Sequence, residues 1–188
     1  MTKRALKMSA VLGACVLALA AAPAGISFAE TTTPETGVLA AHIDVPANLV
    51  PPAGNVLSAV FQAHGVQIYG CTTGKWTLIE PAASLTGVTI KPVRPVTALH
   101  FRGPSWESDQ DGSLVDGKSP VSAPSPNPNS IPQLLVTANT TRGDGIFGKV
   151  TFIQRLATSG GLAPTTTCTT GQTTATPYRA IYRFFTPA

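Results

Sequence analysis

Short apolar runs separated by turn signals recur along most of this chain. VLSAVFQA (56–63) stops at His64-Gly65, VQIYGC (66–71) at Thr-Thr-Gly, and KWTLIE (75–80) at Pro81. TALHFR (97–102), SLVDGK (113–118), QLLVTAN (133–139), KVTFIQRL (149–156) and YRAIYRFF (178–185) follow the same grammar. The runs concentrate β-branched and aromatic residues, as half-buried strands do. In TALHFR the alternation sends Leu99 and Phe101 to one face and His100 and Arg102 to the other, which predicts an outward-facing His100 and Arg102. Beyond residue 29 no segment sustains a 3.6-residue apolar period. Eight short strands without a helix predict an all-β antiparallel sandwich, with a small β-barrel as the alternative.

Three stretches break this rhythm. Residues 30–51 are rich in Thr, Pro and Ala and read as a flexible leader, so the single β domain is expected over 52–188. KSPVSAPSPNPNSIP (118–132) holds five prolines, which remove ladder donors and predict a long extended surface loop. TTTCTTGQTTAT (165–176) is a threonine-rich segment carrying one cysteine.

The N-terminal 29 residues have another character. Lys3, Arg4 and Lys7 precede an uncharged apolar run, and Ser27-Phe28-Ala29 supplies the small-x-small pattern, so residues 1–29 are expected to be a secretory signal peptide cleaved after Ala29. The apolar run is shorter than the roughly 18–20 residues of a spanning helix, so no transmembrane segment is expected after processing. Leu12-Gly13-Ala14-Cys15 resembles a lipobox, and a lipoprotein anchored at Cys15 is the alternative to a secreted or cell-envelope protein.

Processing also changes the charge and the cysteine count. The whole chain has thirteen Lys and Arg against nine Asp and Glu, and loss of the three signal-peptide cations leaves ten against nine. With that balance and no basic run, nucleic acid is not an expected partner. Cys71 and Cys168 remain as the only thiols in an oxidising compartment, which predicts a disulfide pinning the threonine-rich segment to the strand ending at Cys71. Neither cysteine has the CxxC or histidine spacing of a zinc site.

Five ordered stretches carry a family resemblance: GVQIYGC (65–71), HFRGPSWESDQDGS (100–113), IPQLLV (131–136), KVTFIQR (149–155), and the run of Gly160, Gly161, Ala163, Pro164 and Cys168. Together they resemble the secreted bacterial and fungal family catalogued as domain of unknown function 3455, over roughly residues 52 to 185. That family implies no agreed activity and no assigned catalytic residues. Some fungal relatives carry a malate dehydrogenase label. A dinucleotide site needs a glycine-rich strand-to-helix turn and an acidic residue about 20 positions on, and the sequence has no such turn.

The richest polar stretch is HFRGPSWESDQDGS. Trp106 is expected either to cover one end of the core or to offer a stacking face, and His100, Arg102, Trp106, Glu107, Asp109 and Asp111 form the candidate binding surface. Glu107, Asp109 and Asp111 alternate ahead of Gly112, as oxygens do around calcium. The reading is a weak calcium site, since Lys118 stands where an EF-hand has its bidentate glutamate. The competing and favoured reading is that Asp111-Gly112 makes a hairpin turn with solvated carboxylates, leaving no cofactor.

His42, His64 and His100 have no HxH or HxxxH spacing to suggest copper or zinc, and no GxSxG elbow exists for a serine nucleophile. Arg142-Gly143-Asp144 is explained as turn chemistry, and Asn139-Thr140-Thr141 matches a glycosylation acceptor. The expected function is that of a binding or envelope-associated module with no assignable reaction, and a glycan or envelope component as partner. A metal-dependent or carboxylate-using hydrolase at the same loops, using a pair such as Glu107 and Asp111, is the alternative.

Overall fold

The computed structural model describes residues 43–188. The proposed signal peptide, Cys15 and His42 lie outside the described residues. Eight strands follow one another: β1 (Asn55–Thr72), β2 (Lys75–Ile90), β3 (Val93–Phe101), β4 (Ser105–Ser108), β5 (Leu114–Ala123), β6 (Gln133–Arg142), β7 (Phe152–Gly160) and β8 (Thr173–Pro187). Each pairs antiparallel with the next, and β8 pairs with β1 to close the ring. The all-β antiparallel class is therefore as expected, and of the two architectures the strands adopt the single closed sheet. Closure leaves no free edge along the seams, and a ring of this strand number has an interior that side chains can fill.

Several boundaries differ from those the alternation predicts. His64-Gly65 does not end a strand, because β1 runs through it and Gly65 faces Ala83 of β2. A Cβ at Gly65 would overlap the Ala82 carbonyl and Ala83, and one at Gly87 would overlap the Val60 carbonyl. The two glycines serve close approach of the two longest strands rather than a turn. Pro81 likewise lies inside β2, and Ser105–Ser108, absent from the eight predicted runs, forms β4. The proline-rich loop is shorter than expected, since β5 continues to Ala123 across a register shift between Lys118 and Val121.

Inside the ring, odd positions of β1 and even positions of β3 and β8 converge. Ala59, Phe61 and Ala63 meet Val96, Ala98, Ala180, Tyr182 and Phe184, and Trp106, Ile153 and Phe147 fill the centre. Phe147 sits 4.6 Å from Phe184 and 5.9 Å from Phe61 between ring centroids, and Trp106 meets Phe184 edge-on at 6.0 Å. Such tilted and edge contacts suit the ring quadrupoles.

A second, smaller core lies on the outside of the ring. Leu135 and Leu156 project outward with Ala123, and Leu49 is fully buried against them, flanked by Ile43, Val45 and Phe152. The expected flexible leader is thus corrected from residue 43 onward. Ile43 to Val50, with a single 3-10 turn at Ala47–Leu49, is a packed strap, because β6 and β7 present an apolar outer stripe that would otherwise face water. Gln154 Nε2 donates to the Leu49 carbonyl at 2.7 Å and Asn48 Nδ2 to the Ser122 carbonyl at 3.0 Å.

Cys71 and Cys168 are bridged, with Cα atoms 5.9 Å apart. The bridge holds the segment leading into β8 against the β1–β2 hairpin, where Trp76 Nε1 also donates to the Thr166 carbonyl at 3.1 Å.

Candidate functional site

The stretch 100–113 is built as strand end, turn, short strand and second turn. Leu99 and Phe101 share one face as expected, but the assignment of inside and outside is reversed. Leu99 is half exposed, whereas His100 is only 3% exposed and points into the ring. The β3–β4 register sets His100 opposite Trp106. Their rings stack at 4.4 Å with planes 1° apart, and Tyr182 meets both edge-on at 5.3 and 5.7 Å. Trp106, itself 1% exposed, belongs to the core.

The calcium arrangement expected of Glu107, Asp109 and Asp111 is not formed. Among the described residues no group of three or more His, Cys, Asp or Glu side chains is gathered to hold a metal ion. Asp111 Oδ1 accepts from the Ser113 amide and hydroxyl at 3.0 and 2.6 Å, and Oδ2 accepts from the Ile146 amide at 3.0 Å. Burial alone would raise its pKa, but the hydrogen bonds from Ser113, Ile146 and Ser108 outweigh that and hold it below the ordinary carboxylate value. Asp111 therefore ties the β4–β5 turn to the loop after β6. Gly112, at φ +65°, makes the expected turn. Glu107 faces Arg142 at 3.7 Å on the outer surface, and Asp109 is exposed.

His100 and Arg102 do meet in one place, a cavity of about 310 Å3 at one end of the ring. Seven of the eight strands line it: Gln67 from β1, Leu78 to Pro81 from β2, His100, Trp106, Leu134 and Val136, Arg155 from β7 and Tyr182 from β8. Its rim is apolar and charged, with Leu78 and Ile79 exposed and Arg102 Nε donating to Glu80 Oε2 at 3.0 Å. The walls combine the rings of His100, Trp106 and Tyr182 with the aliphatic Leu134 and Val136. Glu107, Asp109 and Asp111 do not line it.

The electrostatics of the interior are dominated by burial. His100 is pushed down to about 3 by burial, against its hydrogen bond to the Ser105 carbonyl, with the Arg155 charge lowering it further. It is therefore neutral at ordinary pH. Because a carbonyl only accepts, Nδ1 carries the proton in the 2.9 Å contact with Ser105 and Nε2 keeps its lone pair. Burial raises the phenols of Tyr182 and Tyr178, while Arg155 opposes the rise.

Two buried donors in this wall have no acceptor. The amide Nε2 of Gln67, 2% exposed, and the indole Nε1 of Trp106 find no protein partner. A buried donor left unpaired costs about 1–3 kcal/mol, so such groups call for explanation. Arg155 is the other residue that strand reasoning passed over. It lies on the inward face with Ile153, opposite Leu134 and Tyr182, and its Nε and Nη2 donate to the Pro132 carbonyl at 3.3 and 3.0 Å. The signal was available in FIQR, where a cation shares a face with a core isoleucine.

No curated protein and no solved structure matches the chain. The model of one family, described as "Protein of unknown function (DUF3455)", matches residues 52–186, from just before β1 to one residue short of the end of β8. On that match the chain belongs to the DUF3455 family.

Proposed function

We propose that this protein is a binding module whose site is the end cavity of the ring, where it takes a small, partly apolar organic molecule. The observation that carries the reading is the pair of buried donors, Gln67 Nε2 and Trp106 Nε1, left without acceptors in a cavity wall otherwise formed by aromatic and aliphatic side chains. Apolar walls with a few convergent polar groups are how small-ligand sites are built, and the volume lies at the lower end of the usual range of about 300–1,000 Å3. The one carboxylate of the lining, Glu80, is committed to Arg102 at the rim, which favours binding over a two-carboxylate hydrolysis. With the N-terminal signal pattern, the setting proposed for this binding is outside the cell or in its envelope.

The indole N–H resonances test this. Trp106 Nε1 is unpartnered and Trp76 Nε1 is bonded to Thr166, so titration with benzyl alcohol, benzoate and benzylamine should move the Trp106 signal and leave Trp76 in place. Leu134→Trp, which fills the cavity from β6, should abolish the response. A Trp106 resonance that stays put with all three probes would overturn the reading.

A further inference from the structure

The chemistry of the lining says more than that something apolar fits. Three ionised side chains border the cavity: Glu80, Arg102 and Arg155. Glu80 and Arg102 pair with each other at the rim and cancel. Arg155 is left as the net charge, and no acidic side chain among the described residues pairs with it; its hydrogen bonds go to the neutral Pro132 carbonyl and the Tyr182 phenol. Among the lining residues two buried donors have no partner, the Gln67 amide and the Trp106 indole, against one free acceptor, the neutral His100 Nε2. A cavity with one uncompensated cation and two idle N–H donors is complementary to an anion.

Flat surfaces surround that charge. The stacked His100 and Trp106 rings make one wall, Tyr182 stands edge-on to both, and Leu134 and Val136 complete the apolar side. Exposed Leu78 and Ile79 extend the apolar surface to the mouth. Above Ile79, Gly70 leaves the isoleucine its room, since a Cβ there would come within 2.9 Å of its Cδ1.

We infer that the ligand is a small monocarboxylate with a flat apolar body, its carboxylate turned to Arg155 and to the donors of Gln67 and Trp106, and its body against the aromatic walls. This rests on the binding reading above. A guanidinium matches a carboxylate in two parallel hydrogen bonds, and charge-assisted bonds are roughly twice as strong as neutral ones. A single guanidinium with two neutral donors suits one negative charge better than the two of a phosphate monoester. The modest volume limits the body to about one or two rings' worth of atoms.

The probes benzoate, benzyl alcohol, benzylamine and phenyl phosphate share a ring and differ in charge. Titrations followed at the Trp106 indole should give benzoate a dissociation constant about tenfold or more below that of benzyl alcohol, with benzylamine weakest. Arg155→Met should bring benzoate to the level of benzyl alcohol without changing the latter, and Arg155→Lys should restore part of the preference. If benzyl alcohol binds as well as benzoate to the unaltered protein, or phenyl phosphate binds tighter than benzoate, the carboxylate inference falls while the binding reading stands. Silence from all four would remove both. The comparison among probes needs no variant, so it holds even where Arg155→Met fails to fold.

Discussion

His100 shows how one buried side chain couples fold to solution conditions. Its pKa is about 3 in the folded protein against an ordinary 6.5, so between those values the unfolded chain binds the proton and the folded one does not. Stability is thus fully present above pH 6.5 and is lost as pH falls towards 3. Denaturant titrations at about pH 8 and pH 5 should differ by about 2 kcal/mol from this residue. Asp111 and Glu80, both held low, lose their contributions only below their ordinary values of 3.8 and 4.5. His100→Phe should flatten the slope whatever it does to stability at neutral pH; an unchanged slope would place the titration elsewhere.

The same residue shows where reading single positions succeeds and where it stops. That His100 and Arg102 share a face is legible in the alternation of TALHFR. Which face is inside is not, because it depends on the partner strands. Ala98 and His100 go inward because Leu85, Ala83 and Trp106 are registered against them. In VQIYG the more apolar Val66 and Ile68 point outward while Gln67 and Tyr69 point in. Polar residues on an inward face break the rule that apolar means buried; Gln67 lines the cavity, while the Tyr69 hydroxyl donates to the Gly161 carbonyl at 2.6 Å. Asp111-Gly112 was readable as a turn because its chemistry is local.

At the level of elements, the strap of residues 43–50 joins the fold through its own small core rather than through the sheet's hydrogen bonds. Leu49 is its anchor, fully buried between Leu135 and Leu156. Leu49→Ala should cost about 2–4 kcal/mol in urea denaturation, the range for a buried leucine whose cavity collapses only in part. Ring closure itself should survive. A loss below about 0.5 kcal/mol would mean the strap contributes little, as surface changes do. Its composition hides this role, since Pro and Ala around one leucine read as leader until the outward stripe of β6 and β7 is known. The longest strands are cut short in the sequence for a similar reason, Gly65 and Pro81 looking like stops when one is a point of close packing inside β1 and the other is buried inside β2.

For the molecule as a whole, the disulfide and the strand ring do related work. The Cys71–Cys168 bridge spans 97 positions and fastens the approach to β8 onto the β1–β2 hairpin. Chain-entropy reasoning gives a loop of that length about 4–5 kcal/mol, an upper figure. Reduction, or paired Cys71→Ser and Cys168→Ser, should lower the urea midpoint while leaving the strand signature in circular dichroism at neutral pH. Loss of that signature on reduction would show that the core cannot hold the ring alone.

Because β1 is hydrogen-bonded to β8 along almost its full length, the first strand of the ring to be synthesised waits for the last. Until Thr173–Pro187 is available, both flanks of the seven preceding strands remain unsaturated edges, and contacts so distant in sequence are slow to form. A nascent chain is therefore kept open by its own topology. Any species shortened within β8 is a templating hazard for its neighbours rather than a smaller version of the same protein.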